Sequence, residues 1–250
     1  MNALVVGAGS MGRWFADSIT DGTAPVDEVA FTDADPDAAA AAADATTNAR
    51  TVPLDTAERF AVVCVAVPLP AAREAVAVHA VRADRAIVDV TGSASEPIAA
   101  MREHAPEKER VSLHPLFAPE NAPGNVAVVA DAPGAVTDAI RDALAARGNH
   151  LFETTAAEHD AAMETIQARA HVAVLSFALA AESVPEGFET PISAGLFDLV
   201  EQVTDGDPRV YADIQAAFDG AEDVAAAARE LADADAATFE ELFERARDER

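Results

Sequence analysis

A short apolar run, Ala3-Leu4-Val5-Val6, breaks into Gly7-Ala8-Gly9-Ser10-Met11-Gly12 and then into an apolar helical start, Trp14-Phe15-Ala16. Strand, glycine loop and helix in that order leave few folds open. The first glycine of such a loop permits a tight turn. The second lets backbone approach a pyrophosphate, and the third lets the helix pack close to the strand. The unpaired N–H groups and dipole at the helix start would hold the phosphates. Gly7, Ala8, Gly9, Ser10, Met11 and Gly12 are therefore the candidate cofactor-binding loop. Without the flanking strand and helix, the same letters would describe only a glycine-rich turn.

The pattern that follows alternates short apolar runs with helical periodicity, the signature of βαβ units. Strands are predicted over 3–6, 28–32, 61–67, 86–90, 110–113, 125–130 and 150–154, and helices over 11–20, 37–45, 71–79, 96–103 and 135–147. After Thr155 only helical patterns remain, over 156–182, 192–203, 208–218, 221–232 and 236–246. The expected fold class is α/β, with an N-terminal Rossmann-type doubly wound sheet over 1–155 and an all-helical domain over 156–250. A small helical domain with several apolar faces commonly completes its core by pairing with a second copy, so a homodimer through this part is expected.

The second strand runs out at Asp33, about 20 residues past the last glycine, where a carboxylate binds ribose hydroxyls. Asp35 and Asp37 follow, and no basic residue stands close in the sequence to receive a 2′-phosphate. NAD is thus favoured over NADP. Asp35 and Asp37 also suit the start of the next helix. Val67 and Pro68 fall at the carboxyl end of the strand over 61–67, beside the switch point where ligands sit in such sheets. Pro68 is expected to border the nicotinamide.

Two further motifs carry chemistry. Leu113-His114-Pro115-Leu116-Phe117 sets a titratable base after an apolar strand, and Glu158-His159-Asp160 opens a long helical pattern running past Gln167 and His171. A histidine of ordinary pKa, about 6.5, suits a general base near neutral pH. Gln167 and His171, four apart, share one face of an α-helix. No spacing suggests a zinc site, and no nucleophile triad is visible. Cys64 is the single cysteine, read as a small apolar filler of a buried strand in a reducing interior.

The order of these motifs, together with Asp89-Val90-Thr91-Gly92-Ser93 and Asp207-Pro208-Arg209-Val210-Tyr211, resembles the prephenate/arogenate dehydrogenase family over nearly the whole chain. The resemblance implies an NAD-dependent oxidative decarboxylation, in which hydride leaves the hydroxyl-bearing ring carbon and carbon dioxide leaves the opposite one. Prephenate, giving 4-hydroxyphenylpyruvate in tyrosine biosynthesis, is the expected substrate. Arogenate is its nearest rival. It further implies His114 as catalytic base and Ser93 as the residue that bonds the substrate hydroxyl or orients His114. Gln167 and His171 are implied to face the substrate, and His159 is read as fixing the domain junction with Asp160.

The chain departs from the family twice. Gly92-Ser93-Ala94-Ser95 stands where Ser-x-Lys is usual. Gln202 stands where an arginine generally clamps the substrate carboxylate, with Arg169 or Arg209 as possible compensators. Those departures keep open an NAD-binding metabolite sensor without turnover. The β-hydroxyacid dehydrogenase group shares the plan but relies on a lysine in its helical domain, and the only lysine here is Lys108.

Charge limits the partners. Asp and Glu number 44 against 17 Lys and Arg, a net charge of −27, and such a surface repels nucleic acid and anionic membranes. The longest apolar runs are too short to span a bilayer, which needs about 20 apolar residues. The N-terminus enters a strand with no basic stretch or cleavage site, so a cytoplasmic protein with a small-molecule substrate is expected. Molar salt, with a Debye length near ~3 Å, would screen the self-repulsion. The charge thus suits a halophile, and the protein should melt at a clearly lower temperature in 0.1 M than in 3 M KCl. Equal melting temperatures in the two buffers would contradict this.

Overall fold

β-Branched and alanine-rich runs bounded by Gly, Pro and Asp form the strands of the first unit. The computed structural model describes residues 1–20, 26–185 and 187–248. The strands are β1 (Asn2–Val6), β2 (Glu28–Thr32), β3 (Ala49–Thr51), β4 (Phe60–Val65), β5 (Ala83–Asp89), β6 (Glu109–Pro115), β7 (Asn125–Ala132) and β8 (His150–Glu153). They make one sheet in the order β3-β2-β1-β4-β5-β6-β7-β8. Pairing is parallel from β3 through β6, antiparallel between β6 and β7, and parallel again between β7 and β8. This is the expected Rossmann-like sheet, and the strand order reverses between β1 and β4.

Flanking helices are α1 (Ser10–Ile19), α2 (Pro36–Ala45), α3 (Ala72–His79), α4 (Ser95–His104) and α5 (Ala135–Ala146). Alternate strand residues point to opposite faces, so each face gathers its own core. Val5, Phe15, Phe31, Cys64, Val88, Leu113 and Ile140 share one cluster. Leu4, Val63, Val65, Ile87, Ile98 and Met101 belong to the other. With both faces buried, polar groups are confined largely to strand ends. Asp35 caps α2 by accepting from the Asp37 and Ala38 N–H groups, as its place in the sequence suggests.

The chain divides into two compact units after Ala161, whereas strands give out in the sequence at Thr155. The second unit is helical: the end of α6 (Ala156–Met163), a π-helical segment Glu164–Arg169, α7 (Ala170–Ala180), α8 (Pro191–Thr204), α9 (Pro208–Ala217), α10 (Ala221–Asp233) and α11 (Ala236–Asp248). Arg169 ties the π segment to α10 through Asp223 at 2.6 Å. Thr190 and Asp207 cap α8 and α9. Among the described residues no helix is long and apolar enough to cross a membrane.

Three features differ from the sequence reading. β3 is a three-residue strand with no apolar alternation, held by pairing to β2. The strand expected over 61–67 ends at Val65, because Ala66 instead lies against the glycine turn. The helix expected to run unbroken from 156 to 182 passes through the π segment. Its extra residue per turn means that the 3.6-residue period does not run through Gln167.

The glycine loop is where backbone packing is tightest. Gly7 has φ +102°, and a Cβ there would stand 2.2 Å from the Ala66 carbonyl oxygen. A Cβ on Gly12 would stand 2.1 Å from the Gly7 oxygen, whereas one on Gly9 would meet nothing within 4 Å. Gly7→Ala and Gly12→Ala should each cost about 1–3 kcal/mol, seen as a lowered melting temperature. Gly9→Ala should leave it near wild type. Equal effects of the three variants would refute this account of the loop.

Candidate active site

The carboxyl ends of the parallel strands bring the candidate residues to one edge of the sheet. From β1 the chain turns at Gly7, whose N–H donates to the Thr32 oxygen at 2.9 Å. Asp33, at the end of β2, accepts from the Ala8 N–H at 2.7 Å and from the Asp35 N–H at 2.9 Å. The Asp33 carboxylate is thereby aimed across the glycine loop. The Ala8 N–H is consequently given to a side chain rather than presented to a ligand.

Gly9 and Ser10 are exposed, Met11 is half-buried, and α1 begins with no side-chain cap and no acidic residue in its first turn. The first N–H groups of a helix have no partner within it. An uncapped start beside an open Gly9 fits the pyrophosphate of a dinucleotide. Asp33 closes the other side of the same loop through the Ala8 N–H. Val67 is half-buried and Pro68 exposed in the loop after β4, on the same edge. The residues present thus fit a nicotinamide dinucleotide.

His114 lies at the carboxyl end of β6, 8% exposed, paired in register with Ala127 of β7. Its Nδ1 is 2.8 Å from Nε2 of His159, which is 3% exposed. The two rings meet edge to face with centroids 5.0 Å apart. His159 Nδ1 is in turn 2.8 Å from Asp160 Oδ1. Asp160 also accepts the Ala94 N–H at 2.9 Å and the Ser95 N–H at 3.1 Å, capping α4 from a distance in sequence. The other nitrogen of His114, Nε2, faces Gly92, where an added Cβ would stand 3.6 Å away.

Burial holds the His114 imidazole down to about 3, helped by His159 and opposed by Asp160. The ring is neutral at any ordinary pH. Burial pushes the Asp160 carboxyl up, but hydrogen bonds from His159, Ser95 and Ala94 outweigh it and bring the group to about 2. Asp89, fully buried at the end of β5, is pushed up to about 7 by burial, against hydrogen bonds from Thr91. One of its oxygens accepts from the Thr91 N–H and hydroxyl at 3.0 and 2.6 Å, and Ser112 also bonds the carboxyl.

Ser93 is half-buried, and its carbonyl accepts from the Thr91 hydroxyl. His114 Nδ1 is engaged by His159. His159 is therefore a direct partner of His114, a contact missed in the sequence. The Glu158-His159-Asp160 motif flagged the residue, but only the fold brings it across 45 residues to His114.

In the helical unit, Gln167 and His171 are half-buried, and Gln167 Oε1 and His171 Nδ1 are buried without partners. His171 meets Tyr211 edge to face at 4.8 Å. Gln202 is exposed on α8. Neither compensating arginine is uncommitted: Arg169 pairs with Asp223, and Arg209 pairs with Asp207 at 3.4 Å. Among the described residues no three His, Cys, Asp or Glu side chains cluster closely enough to hold a metal.

Residues 22–132, which contain His114 but not the glycine loop, match the family described as prephenate dehydrogenase, nucleotide-binding domain. A 4-amino-4-deoxyprephenate dehydrogenase of Streptomyces pristinaespiralis is 36% identical over 172 residues, 64% of this chain. The chain spans 57% of that relative's length. Among solved structures, prephenate dehydrogenase from A. aeolicus, in complex with hydroxyphenyl propionate and NAD+, superposes with a TM-score of 0.72. It is 16% identical and covers 100% of this chain and 92% of its own. Synechocystis arogenate dehydrogenase gives a TM-score of 0.58 at 15% identity, covering 100% and 99%. At these identities the structural likeness is one of fold. Residues 22–132 are thus similar to the nucleotide-binding domain of prephenate dehydrogenases.

Proposed function

We propose that the protein is an NAD-dependent dehydrogenase that oxidatively decarboxylates prephenate to 4-hydroxyphenylpyruvate, with His114 as the general base. One observation carries this reading: a neutral, buried imidazole on the sheet edge that also bears the glycine loop, with Nδ1 engaged by His159 and Nε2 directed toward Gly92. The exposed Gly9, the uncapped start of α1 and the acidic Asp33 support NAD as the dinucleotide.

A bound nicotinamide would accept hydride from the ring carbon that bears the hydroxyl. As that carbon loses hydride, its hydroxyl becomes a protonated carbonyl, a far stronger acid than any imidazolium. His114 Nε2 can therefore take the proton despite its depressed pKa, and the Asp160 carboxylate offsets the charge that forms. Aromatisation as carbon dioxide departs makes the step irreversible. Ser93 remains a candidate to bond the substrate hydroxyl. Gln167, His171 and Gln202 are candidates for the substrate's side-chain and carboxylate groups.

A second reading has a specific observation in its favour. The relative from Streptomyces pristinaespiralis is named for an aminated substrate, and this chain has Gln202 where the family's arginine is expected. An amine on the ring would lose its proton to His114 in the same way, giving the aminophenyl counterpart.

The helical unit is inferred to pair with a second copy. α7 is apolar on every side, yet it has no buried residue in the single chain. Leu179 is 90% exposed, Ile192 78% and Phe243 62%. Sedimentation in high salt should give twice the chain mass, and a monomer at micromolar concentration would exclude the pairing.

Turnover is tested by offering prephenate, arogenate and 4-amino-4-deoxyprephenate, each with NAD and with NADP, in high salt. Prephenate with NAD should give the highest kcat/KM, and His114→Asn should lower kcat by about 10²–10⁴-fold. The base is active unprotonated and its pKa is lowered to about 3. The acid limb of kcat/KM should therefore lie well below the ordinary histidine value of about 6.5. Preference for the amine would install the second reading. Absence of dinucleotide reduction with all three would leave a binding protein, and full activity of His114→Asn would remove the base.

A further inference from the structure

Resting on the reaction proposed above, we propose that Asp160, acting through His159, fixes the tautomer of His114 so that its bare nitrogen is Nε2. Both are positioning residues for the base. The assignment follows from the order of donors and acceptors. Asp160 Oδ1 and Oδ2 already accept two backbone N–H groups, from Ala94 and Ser95, so the group is held as a carboxylate and can only accept. His159 Nδ1, 2.8 Å from Oδ1, must then carry a proton. With that single proton, on Nδ1, His159 has a bare Nε2. That nitrogen, 2.8 Å from His114 Nδ1, can only accept, so the proton between the rings belongs to His114 Nδ1. His114 Nε2 is consequently a lone pair, and it is the nitrogen that faces the space at Gly92.

The opposite tautomer of His114 would present an N–H there and could take no proton. With a single proton on His159, it would also leave two bare nitrogens opposed at 2.8 Å. The same chain keeps working after proton transfer: the new charge on His114 is one hydrogen-bonded ring away from a carboxylate. The groups that face the ring pair are Asp160 from α6 and Asp89 from β5, with the buried Cys64 thiol of β4 beside Asp89. None of the other side chains supplies a second acceptor to His159 Nδ1 among the described contacts.

Long-range nitrogen–proton NMR on the full chain labelled at its six histidines reads the tautomer directly, with His114→Asn identifying the signal. In the wild type the His114 proton should reside on Nδ1. Asp160→Asn keeps an acceptor oxygen for α4 but can turn an NH₂ toward His159, so the His114 proton should move to Nε2. Its kcat should fall about 10²–10⁴-fold with KM near wild type. His159→Gln keeps an acceptor at the place of Nε2 and should recover most of the kcat lost in His159→Phe, with both variants melting alike. The proposal is overturned by a wild-type proton on Nε2, by an unmoved tautomer in Asp160→Asn, or by equal losses in the Gln and Phe variants. If the wild type turns over no cyclohexadienyl substrate, the reaction proposed above falls, and the tautomer measurement still decides this assignment.

Discussion

Strands β1, β2, β4, β5 and β6 run parallel and are largely buried on both faces, which leaves almost nowhere for a polar side chain except where strands stop. That constraint organises everything described. Gly7, Asp33, Asp89 and His114 each follow or end a strand, and parallel pairing brings those ends to a common edge. The chemistry is concentrated there because an unpaired polar atom elsewhere in the sheet would cost on the order of 1–3 kcal/mol. Asp89 shows the same constraint, a fully buried carboxyl at a strand end bonded by Thr91 and Ser112.

Features set by local geometry could be read in the sequence. The glycine loop is legible because only glycine tolerates a φ of +102° with a carbonyl 2.2 Å from the missing Cβ, or the contact of Gly12 with the Gly7 oxygen. The strand at Glu28–Thr32 and the capping Asp35 were equally plain, since alternation and cap chemistry act within a few residues. β3 was not legible, because three residues carry no period and their strand character comes wholly from β2. The π segment was hidden for a related reason: its letters favour helix, and nothing in them declares the extra residue per turn.

The candidate site divides along the same line. Asp33, His114 and the loop could be named from spacing, since each ends a strand. His159 could be named as a motif but not given its partner, because its contact with His114 depends on how α6 returns to the end of β6. Ser93 was named from nearness in sequence to the strand end, which could not show that an imidazole delivered by a helix meets His114 Nδ1. The substrate's recognition is the least legible part. Gln202 is exposed, and Arg169 and Arg209 are engaged by acidic neighbours.

Asp160 receives both the opening turn of α4 and the far ring of the histidine pair. The peptide around Gly92 and the proton acceptor behind it are therefore geared to a single carboxyl group. A ligand that nudged Ala94 or Ser95 would tug on His159 as well, and slack in one would be felt at once by the other. The start of α4 and the histidine pair are in this way tied to one carboxylate.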